Sequence, residues 1–133
     1  MKAFLDANVI FTAAYTPNGK SNFLIKNAAA LKVSIVTSDY AVEEASRNIQ
    51  KKKDEALSEF NLLVDKLNIL SSVIGPCPIS LPSKDQPIFM TAFKNRATHL
   101  LTGDIKDFGP YMNDKEKSCG ILIQTVSEFL NSI

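Results

Sequence analysis

The sequence is poor in the residues that build soft metal sites. Its 133 residues include one histidine, His99, and two cysteines, Cys77 and Cys119. Zinc sites of the usual kinds gather several Cys and His ligands at short spacings, and no such group occurs here. A metal bound by this chain must therefore be held by oxygen ligands. Because the two cysteines lie far apart, we expect both thiols to be free.

Long apolar runs are absent as well. No stretch approaches the roughly 18 uninterrupted apolar residues of a membrane span. The start MKAFLDANVI also lacks the charged region, apolar region and cleavage site of a secretory signal. We therefore expect a cytoplasmic protein without a membrane segment. The length fits a single domain over residues 1–133, and 45% hydrophobic residues are enough to build a core.

Neither sign of charge predominates. The sequence has 15 Lys and Arg against 14 Asp and Glu, so no overall positive field indicates a nucleic-acid partner. A phosphate-binding surface must then be a local patch. Candidates for such a rim are Lys20, Lys26 and the run Lys51–Lys53, although a lysine run is more often the solvated end of a helix.

Short apolar runs alternate with segments of helical periodicity. We predict strands at residues 2–5, 33–37, 68–70, 99–102 and 121–123. We predict helices at residues 22–31, 38–49, 56–67, 86–97 and 126–131. Strands that alternate with helices through right-handed crossovers form a mostly parallel sheet covered on both faces. The predicted fold is therefore a single-domain three-layer α/β/α arrangement.

Two of the predicted strands are followed by aspartate. Asp6 follows the first strand directly, and Asp104 follows residues 100–103. Ligands of open parallel sheets bind beyond the carboxyl ends of the strands, so these two carboxylates approach each other if their strands are neighbours. Each acid also has a structural alternative, because an acid after a strand often caps the next helix.

Other acids are predicted at the same edge of the sheet. Asp85 precedes Gln86-Pro87 and is well placed to cap the following helix, whose first turn tolerates proline. Glu43 and Glu44 lie on opposite flanks of the apolar stripe of the helix after the second strand, and periodicity does not choose between them. All these positions lie at one edge of the predicted sheet. This favours a common binding site over independent structural roles for each acid.

The order of these acids resembles the PIN-domain family. Leu5-Asp6-Ala7-Asn8-Val9-Ile10 resembles the family's first strand with its Asp-x-Asn step. Residues 38–45 resemble the second element, in which the glutamate before an apolar residue corresponds to Glu44. Residues 85–92, 100–108 and 121–130 resemble the later elements, so the resemblance spans nearly the whole chain.

The resemblance implies a VapC-like endoribonuclease that depends on Mg²⁺ or Mn²⁺. Hard cations of this kind accept oxygen ligands and activate a water that attacks the phosphodiester. The implied catalytic acids are Asp6, Glu44, Asp85 and Asp104, and the implied metal ligands are Asp6, Asp85, Asp104 and Asp107. Whether Asp107 shares or replaces the role of Asp104 stays open.

Supporting roles and partners follow from the same resemblance. Thr102 would hydrogen-bond an acid or a metal-bound water, and Asn8 would hold the turn at Asp6 or line the site, although both residues also suit a structural turn. The protein would act on RNA as the toxin of a toxin–antitoxin pair, with an antitoxin partner and a homodimeric state. Exposed apolar residues of the helical hairpin from Val42 to Leu67 would supply the dimer or antitoxin face.

Three other interpretations compete with this one. Gly19-Lys20-Ser21 matches the end of a phosphate loop, but Ala14 stands where that motif begins with glycine and the preceding strand ends too early. An aspartyl phosphotransferase would use the aspartate after the first strand as a nucleophile, but such families carry a second aspartate where this chain has Asn8. The third is a PIN fold that binds RNA or protein without cutting, its acids serving as caps and turns.

Overall fold

The strands of the molecule form one parallel sheet. The computed structural model describes residues 1–52 and 54–133. Its sheet has the order β3-β2-β1-β4-β5, and every neighbouring pair is parallel. The strands are β1 (Lys2–Leu5), β2 (Ser34–Ser38), β3 (Asn68–Leu70), β4 (His99–Leu101) and β5 (Leu122–Gln124).

Helices cover both faces of this sheet. Those in the described residues are α1 (Ala7–Tyr15), α2 (Lys20–Asn27), α3 (Asp39–Lys52), α4 (Leu57–Val64), α5 (Gln86–Lys94), α6 (Ile105–Phe108) and α7 (Val126–Ser132). Helix α1 contacts α2, α3 and α4, whereas α5 packs on β2 and β4. From β1 the chain adds β2 and β3 on one side of the sheet, and it then crosses back to add β4 and β5 on the other side. Because the crossovers are right-handed, helices α1 to α4 lie on one face and α5 lies on the other. The three-layer α/β/α prediction is confirmed.

The central strands are buried on both faces. Phe4, Leu5, Leu100 and Leu101 expose no surface, as expected for a parallel sheet between two helical layers. Full burial of one such side chain contributes about 1.5–3 kcal/mol. The sheet is therefore a rigid base for whatever follows its strands.

Helix α1 was missed by the sequence analysis. It begins directly after β1, and the Asp6 carboxylate caps it by accepting the Ala7 N–H at 2.6 Å. Val9 and Ile10 are buried in it, which shows tertiary packing overriding their modest helix propensity. The next predicted helix, 22–31, starts earlier and ends earlier in the structure, at Lys20–Asn27.

Several smaller predictions can be checked on the same structure. Cys77 and Cys119 are both free thiols, as predicted. Lys51 and Lys52 are exposed in the last turn of α3, where positive charge favours the helix dipole; Lys53 lies outside the described residues. Within residues 1–52 and 54–133, no helix combines the length and the apolar character needed to cross a bilayer.

Candidate active site

The predicted acids meet at the carboxyl ends of β1 and β4. Leu5 pairs with Leu101 in the sheet register, and the strand order reverses between these two strands, which is where ligands of open α/β sheets bind. An open cavity of about 620 Å³ lies at this point. It is lined by Asp6, Asn8, Thr12, Glu44, Pro82, Lys84, Asp85, Gly103, Asp104, Lys106 and Asp107.

Asp6 is buried and held by its neighbours. One carboxylate oxygen accepts the Ala7 N–H at 2.6 Å, and the other accepts from Asn8 Nδ2 at 3.1 Å and from Thr102 Oγ1 at 2.8 Å. Asn8 Oδ1 in turn accepts the Gly103 N–H at 2.7 Å. The Asp-x-Asn step and Thr102 thus join the ends of β1 and β4, so capping and site positioning are done by the same contacts.

The charge of Asp6 is not fully compensated. The pKa of Asp6 is raised to about 6, because burial and, to a smaller extent, the carboxylates of Glu44 and Asp104 outweigh the lowering effect of the hydrogen bonds from Thr102 and Ala7. A carboxylate with a pKa raised by burial and like charges is stabilised when a cation approaches.

Three further carboxylates form a tight cluster. One carboxylate oxygen from each of Asp85, Asp104 and Asp107 lies within 4.8 Å of the others. Asp104 caps α6, because its Oδ1 accepts the Asp107 N–H at 3.0 Å. The short helix therefore presents both aspartates together, and whether Asp107 shares or replaces the role of Asp104 stays a prediction.

Asp85 carries the least satisfied oxygen of the cluster. The residue is 6% exposed, and no donor group contacts its Oδ2 within the described part of the chain. Burial and hydrogen bonding with Asp107 raise the pKa of Asp85 to about 7, although Lys84 opposes this. The same hydrogen bond lowers the pKa of Asp107. A bound cation would satisfy the unpartnered Oδ2 of Asp85.

The two neighbouring glutamates, Glu43 and Glu44, differ in their position relative to the cavity. Glu44 is half-buried and lines the cavity, whereas Glu43 is exposed and pairs with Arg47 at 2.9 Å. Both lie beside the buried stripe of Ala41, Ala45 and Ile49. Helix α3 follows β2 directly, so its first turns face the cavity on one flank only.

Two lysines of the cavity were not predicted. Lys84 Nζ lies 3.4 Å from Asp107 Oδ2, and Lys106 also lines the cavity. Their positions beside Asp85 and Asp107 in the sequence were the available signal. Thr12 and Pro82 were missed too, since nothing in their local pattern marks them.

The predicted phosphate-contacting lysines lie outside this cavity. Lys26 Nζ pairs with Glu59 at 2.8 Å, and Lys20 Nζ donates to Ser127 Oγ at 2.9 Å; their contact with substrate stays a prediction. Residues 19–21 follow α1 and a turn, not a strand. A phosphate loop requires a strand before it, so this context excludes that arrangement for Gly19-Lys20-Ser21.

The residues of the cavity fit a hard divalent cation. Its lining has carboxylate, amide and hydroxyl oxygens and neither His nor Cys. Mg²⁺ and Mn²⁺ prefer such ligands. The unpartnered Oδ2 of Asp85 and the raised pKa values of Asp6 and Asp85 are each relieved by positive charge.

Several solved structures are similar in fold to this chain. One is a chain of VapBC2 from Rickettsia felis bound to a DNA fragment from its promoter, with a TM-score of 0.61 and 18% identity over 94% of this chain and 98% of that one. Another is a chain of VapBC-1 from nontypeable Haemophilus influenzae, with a TM-score of 0.60 and 15% identity over 96% and 99%. A PilT N-terminus domain protein from Sulfolobus solfataricus has a TM-score of 0.58 and 17% identity over 99% and 92%. The sequence matches no protein-family model and no curated protein.

Proposed function

Because the chain has the PIN fold of these VapBC and PilT N-terminus structures, we propose that it is a metal-dependent endoribonuclease. The observation that carries the proposal is the convergence of five carboxylates on one open cavity: Asp6, Glu44, Asp85, Asp104 and Asp107. Helix capping accounts for some of these acids one at a time. It does not account for their meeting, since like charges at close range are costly without a cation.

The proposed cofactor is Mg²⁺ or Mn²⁺. Asp85, Asp104 and Asp107 would hold it, because their carboxylate oxygens already lie within 4.8 Å of one another, and Asp6 lies in the same cavity. When bound, such an ion supplies positive charge next to the phosphate and activates water for in-line attack.

The protein's own residues orient the reaction. Thr102 and Asn8 fix the Asp6 carboxylate through its Oδ2, so Asp6 needs no rearrangement when substrate arrives. Glu44 faces the same space and would accept a proton from the attacking water. Lys84 and Lys106 would contact the substrate phosphate, since they are the cations among the residues that line the cavity.

The biological setting is proposed from the neighbouring structures. The VapBC complexes suggest a toxin that is held by an antitoxin protein, and we propose the same for this chain, in the cytoplasm and as a homodimer. Leu57 and Leu62 of α4 are 37% and 58% exposed. They are suitable contacts for such a partner.

Cleavage of a mixture of structured and single-stranded RNA in Mn²⁺ or Mg²⁺ tests the proposal. Glu43 and Glu44 offer a matched pair, because each substitution to Gln removes the same charge one residue apart. Glu44→Gln and Asp6→Asn are expected to lose about 100-fold or more in rate, whereas Glu43→Gln keeps the wild-type rate. EDTA should abolish cleavage.

Two results would contradict the proposal. Equal cleavage by Glu44→Gln and Glu43→Gln would show that the activity arises elsewhere. A wild-type protein that neither cuts RNA nor binds Mn²⁺ in a calorimetric titration would instead favour the non-catalytic binding module.

A further inference from the structure

A second, smaller cavity adjoins the acidic one. Its volume is about 140 Å³, and it shares Asn8, Thr12 and Gly103 with the acidic cavity. The far wall is formed by the first turn of α2 and the first residues of α7, through Ser21, Thr125 and Val126. No acid lines it, so it differs in charge from its neighbour.

Ser21 is a largely buried residue of this cavity, and its hydroxyl has no partner among the described residues. The residue is 8% exposed and lines the cavity, yet its hydroxyl makes no hydrogen bond with any residue in the ranges 1–52 and 54–133. The Ser21 hydroxyl oxygen is not one of the fully buried side-chain atoms that lack a partner, so it can be reached from the cavity. The Ser21 hydroxyl is therefore available to a ligand that enters the cavity.

The first turn of α2 is open to an anion. Gly19 occupies the N-cap position and supplies no capping side chain, so the first amide groups of this helix lack a side-chain acceptor. Helix α7, which lines the same cavity, differs from α2 in this respect, because Thr125 and Glu128 cap its N-terminus with a capping box. Amide groups at an uncapped helix start attract phosphate.

Lys20 precedes Ser21 in the first turn of α2 and adds a positive charge beside the second cavity, although it does not line it. Its Nζ donates to Ser127 Oγ at 2.9 Å, which carries the side chain from α2 across to α7. Lys26 and Lys84 form ion pairs with Glu59 and Asp107, but Lys20 forms none with any acid that the structure describes. Its charge is thus available to a ligand.

We propose that this second cavity binds a phosphate of the RNA strand next to the one that is cleaved. The inference rests on the proposed nuclease function for the nature of the ligand. The five carboxylates of the acidic cavity repel phosphate when no metal ion is bound, so an anchor outside that cavity would strengthen binding of a strand. Asn8 and Gly103 form the shared boundary of the two cavities, and a strand crossing it would place successive phosphates over the acids and over Ser21 and Lys20.

Binding of a single-stranded RNA oligonucleotide in EDTA tests this site without cleavage. Affinity is measured over a range of salt concentrations for wild type, Lys20→Met, Ser21→Ala and a control, Lys94→Met. Lys94 is exposed at the end of α5, and the adjoining Asn95 contacts Lys2 at the start of β1, so this lysine lies at the opposite edge of the sheet. Thermal unfolding of each variant checks that its fold is intact.

Lys20→Met is expected to lower the slope of log affinity against log salt by about 0.7, the value of one phosphate contact on a single strand. Its affinity at low salt should fall about fivefold, as for loss of a good exposed ion pair. Ser21→Ala is expected to bind about threefold more weakly with an unchanged slope, because it loses one uncharged hydrogen bond. Lys94→Met should match wild type.

The outcomes separate this site from the nuclease proposal. If Lys20→Met and Ser21→Ala both bind like wild type, or if Lys94→Met loses as much as Lys20→Met, the phosphate site is refuted even when the wild type cuts RNA. If the Lys20 effect appears but Mn²⁺ produces no cleavage, the site is supported and the nuclease proposal fails. If the wild type binds no RNA in EDTA, the phosphate site is overturned, and the cleavage assay in Mn²⁺ decides the nuclease proposal separately.

Discussion

The two ends of the parallel sheet are built from the same strands but differ in how their polar groups are satisfied. At the amino ends, Thr98 Oγ1 accepts the Lys2 N–H at 3.0 Å and donates to the Lys2 carbonyl at 2.9 Å, and Lys2 Nζ donates to the Asn95 carbonyl at 3.0 Å. At the carboxyl ends, five carboxylates share a cavity and Asp85 Oδ2 has no donor among the described residues.

This difference fits the proposed function, in which the amino ends stabilise the fold and the carboxyl ends bind the metal and substrate. Satisfied hydrogen bonds at the amino ends contribute about 1 kcal/mol each. The acidic end costs stability, because burial and like charges raise the pKa values of Asp6 and Asp85. Strain of this kind is retained where a ligand relieves it.

The strongest test of the comparison is Asp85→Asn. Without metal, the folded state holds Asp85 with a pKa of about 7, raised from 3.8. A raised carboxylate pKa means that the folded state binds the proton more tightly, so stability falls as pH rises from about 4 towards 7. Asp85→Asn should therefore be more stable than wild type at pH 8 in EDTA, by about 1–2 kcal/mol, while losing about 100-fold or more in cleavage rate.

Urea unfolding in EDTA and a cleavage assay in Mn²⁺ measure the two effects. The Asp85 side chain makes no capping hydrogen bond to α5, so a variant less stable than wild type at pH 8 would show that the Asp85 carboxylate stabilises the fold through other contacts. Glu43→Gln serves as the control, because its exposed pair with Arg47 contributes at most about 0.5 kcal/mol.

Adding a metal ion should stabilise the folded protein through the acidic carboxyl ends of the strands. An ion that binds only the folded state stabilises it by about 2.7 kcal/mol at a concentration 100 times its dissociation constant. Thermal unfolding with and without Mn²⁺ is expected to show this gain for wild type and little of it for Asp104→Asn, since Asp104 belongs to the carboxylate cluster. An equal gain in both proteins would place the ion elsewhere.

At the opposite end, Thr98→Val should affect stability alone. It removes the two hydrogen bonds of the Thr98 hydroxyl to the Lys2 backbone and its contact with His99 Nδ1 at 2.8 Å, at a cost of about 1 kcal/mol because the site is exposed. Urea unfolding measures the loss, and the cleavage rate per folded molecule should equal that of wild type. A reduced rate at full folding would show that the two ends are coupled.

The smallest expected effect is the pH dependence from His99. Burial lowers the pKa of His99, and the positive charges of the N-terminus and Lys115 act in the same direction. A lowered histidine pKa means that the unfolded state binds the proton more tightly, so stability falls as pH drops below about 6.5. This sign is opposite to that of Asp85.

Urea unfolding between pH 5 and 8 separates the two groups. His99→Gln is expected to remove the loss of stability at low pH. Asp85→Asn is expected to remove only the part of the loss at rising pH that Asp85 contributes, because the raised pKa of Asp6 leaves a second part. His99 also packs edge-on to Phe129 with ring centroids 4.8 Å apart, so some stability is lost at every pH. An unchanged pH profile in His99→Gln would assign the titration to another group.

Much of the architecture follows from local sequence pattern. Apolar runs of three to five residues alternate with amphipathic segments, and burial on both faces makes these runs recognisable as parallel strands. Asp6 and Asp104 could be predicted because ligands of such sheets bind where strands end. Helix α1 was not predicted from the sequence, because it follows β1 without a break and its residues Val9, Ile10 and Ala13 are buried. Packing against α3 and α4 stabilises it.

Other features of the site were decided by tertiary structure alone. Glu43 and Glu44 are equivalent by periodicity, and only the packing of α3 turns Glu44 towards Asp6. Lys84 pairs with Asp107 in the acidic cavity. Ser21 is a candidate phosphate-binding residue because it shares a cavity with the first residues of α7. Sequence pattern specifies which elements form and where their polar ends lie. Which side chains share one cavity depends on the packing of helices and strands that are far apart in the sequence, and local sequence pattern does not specify that packing.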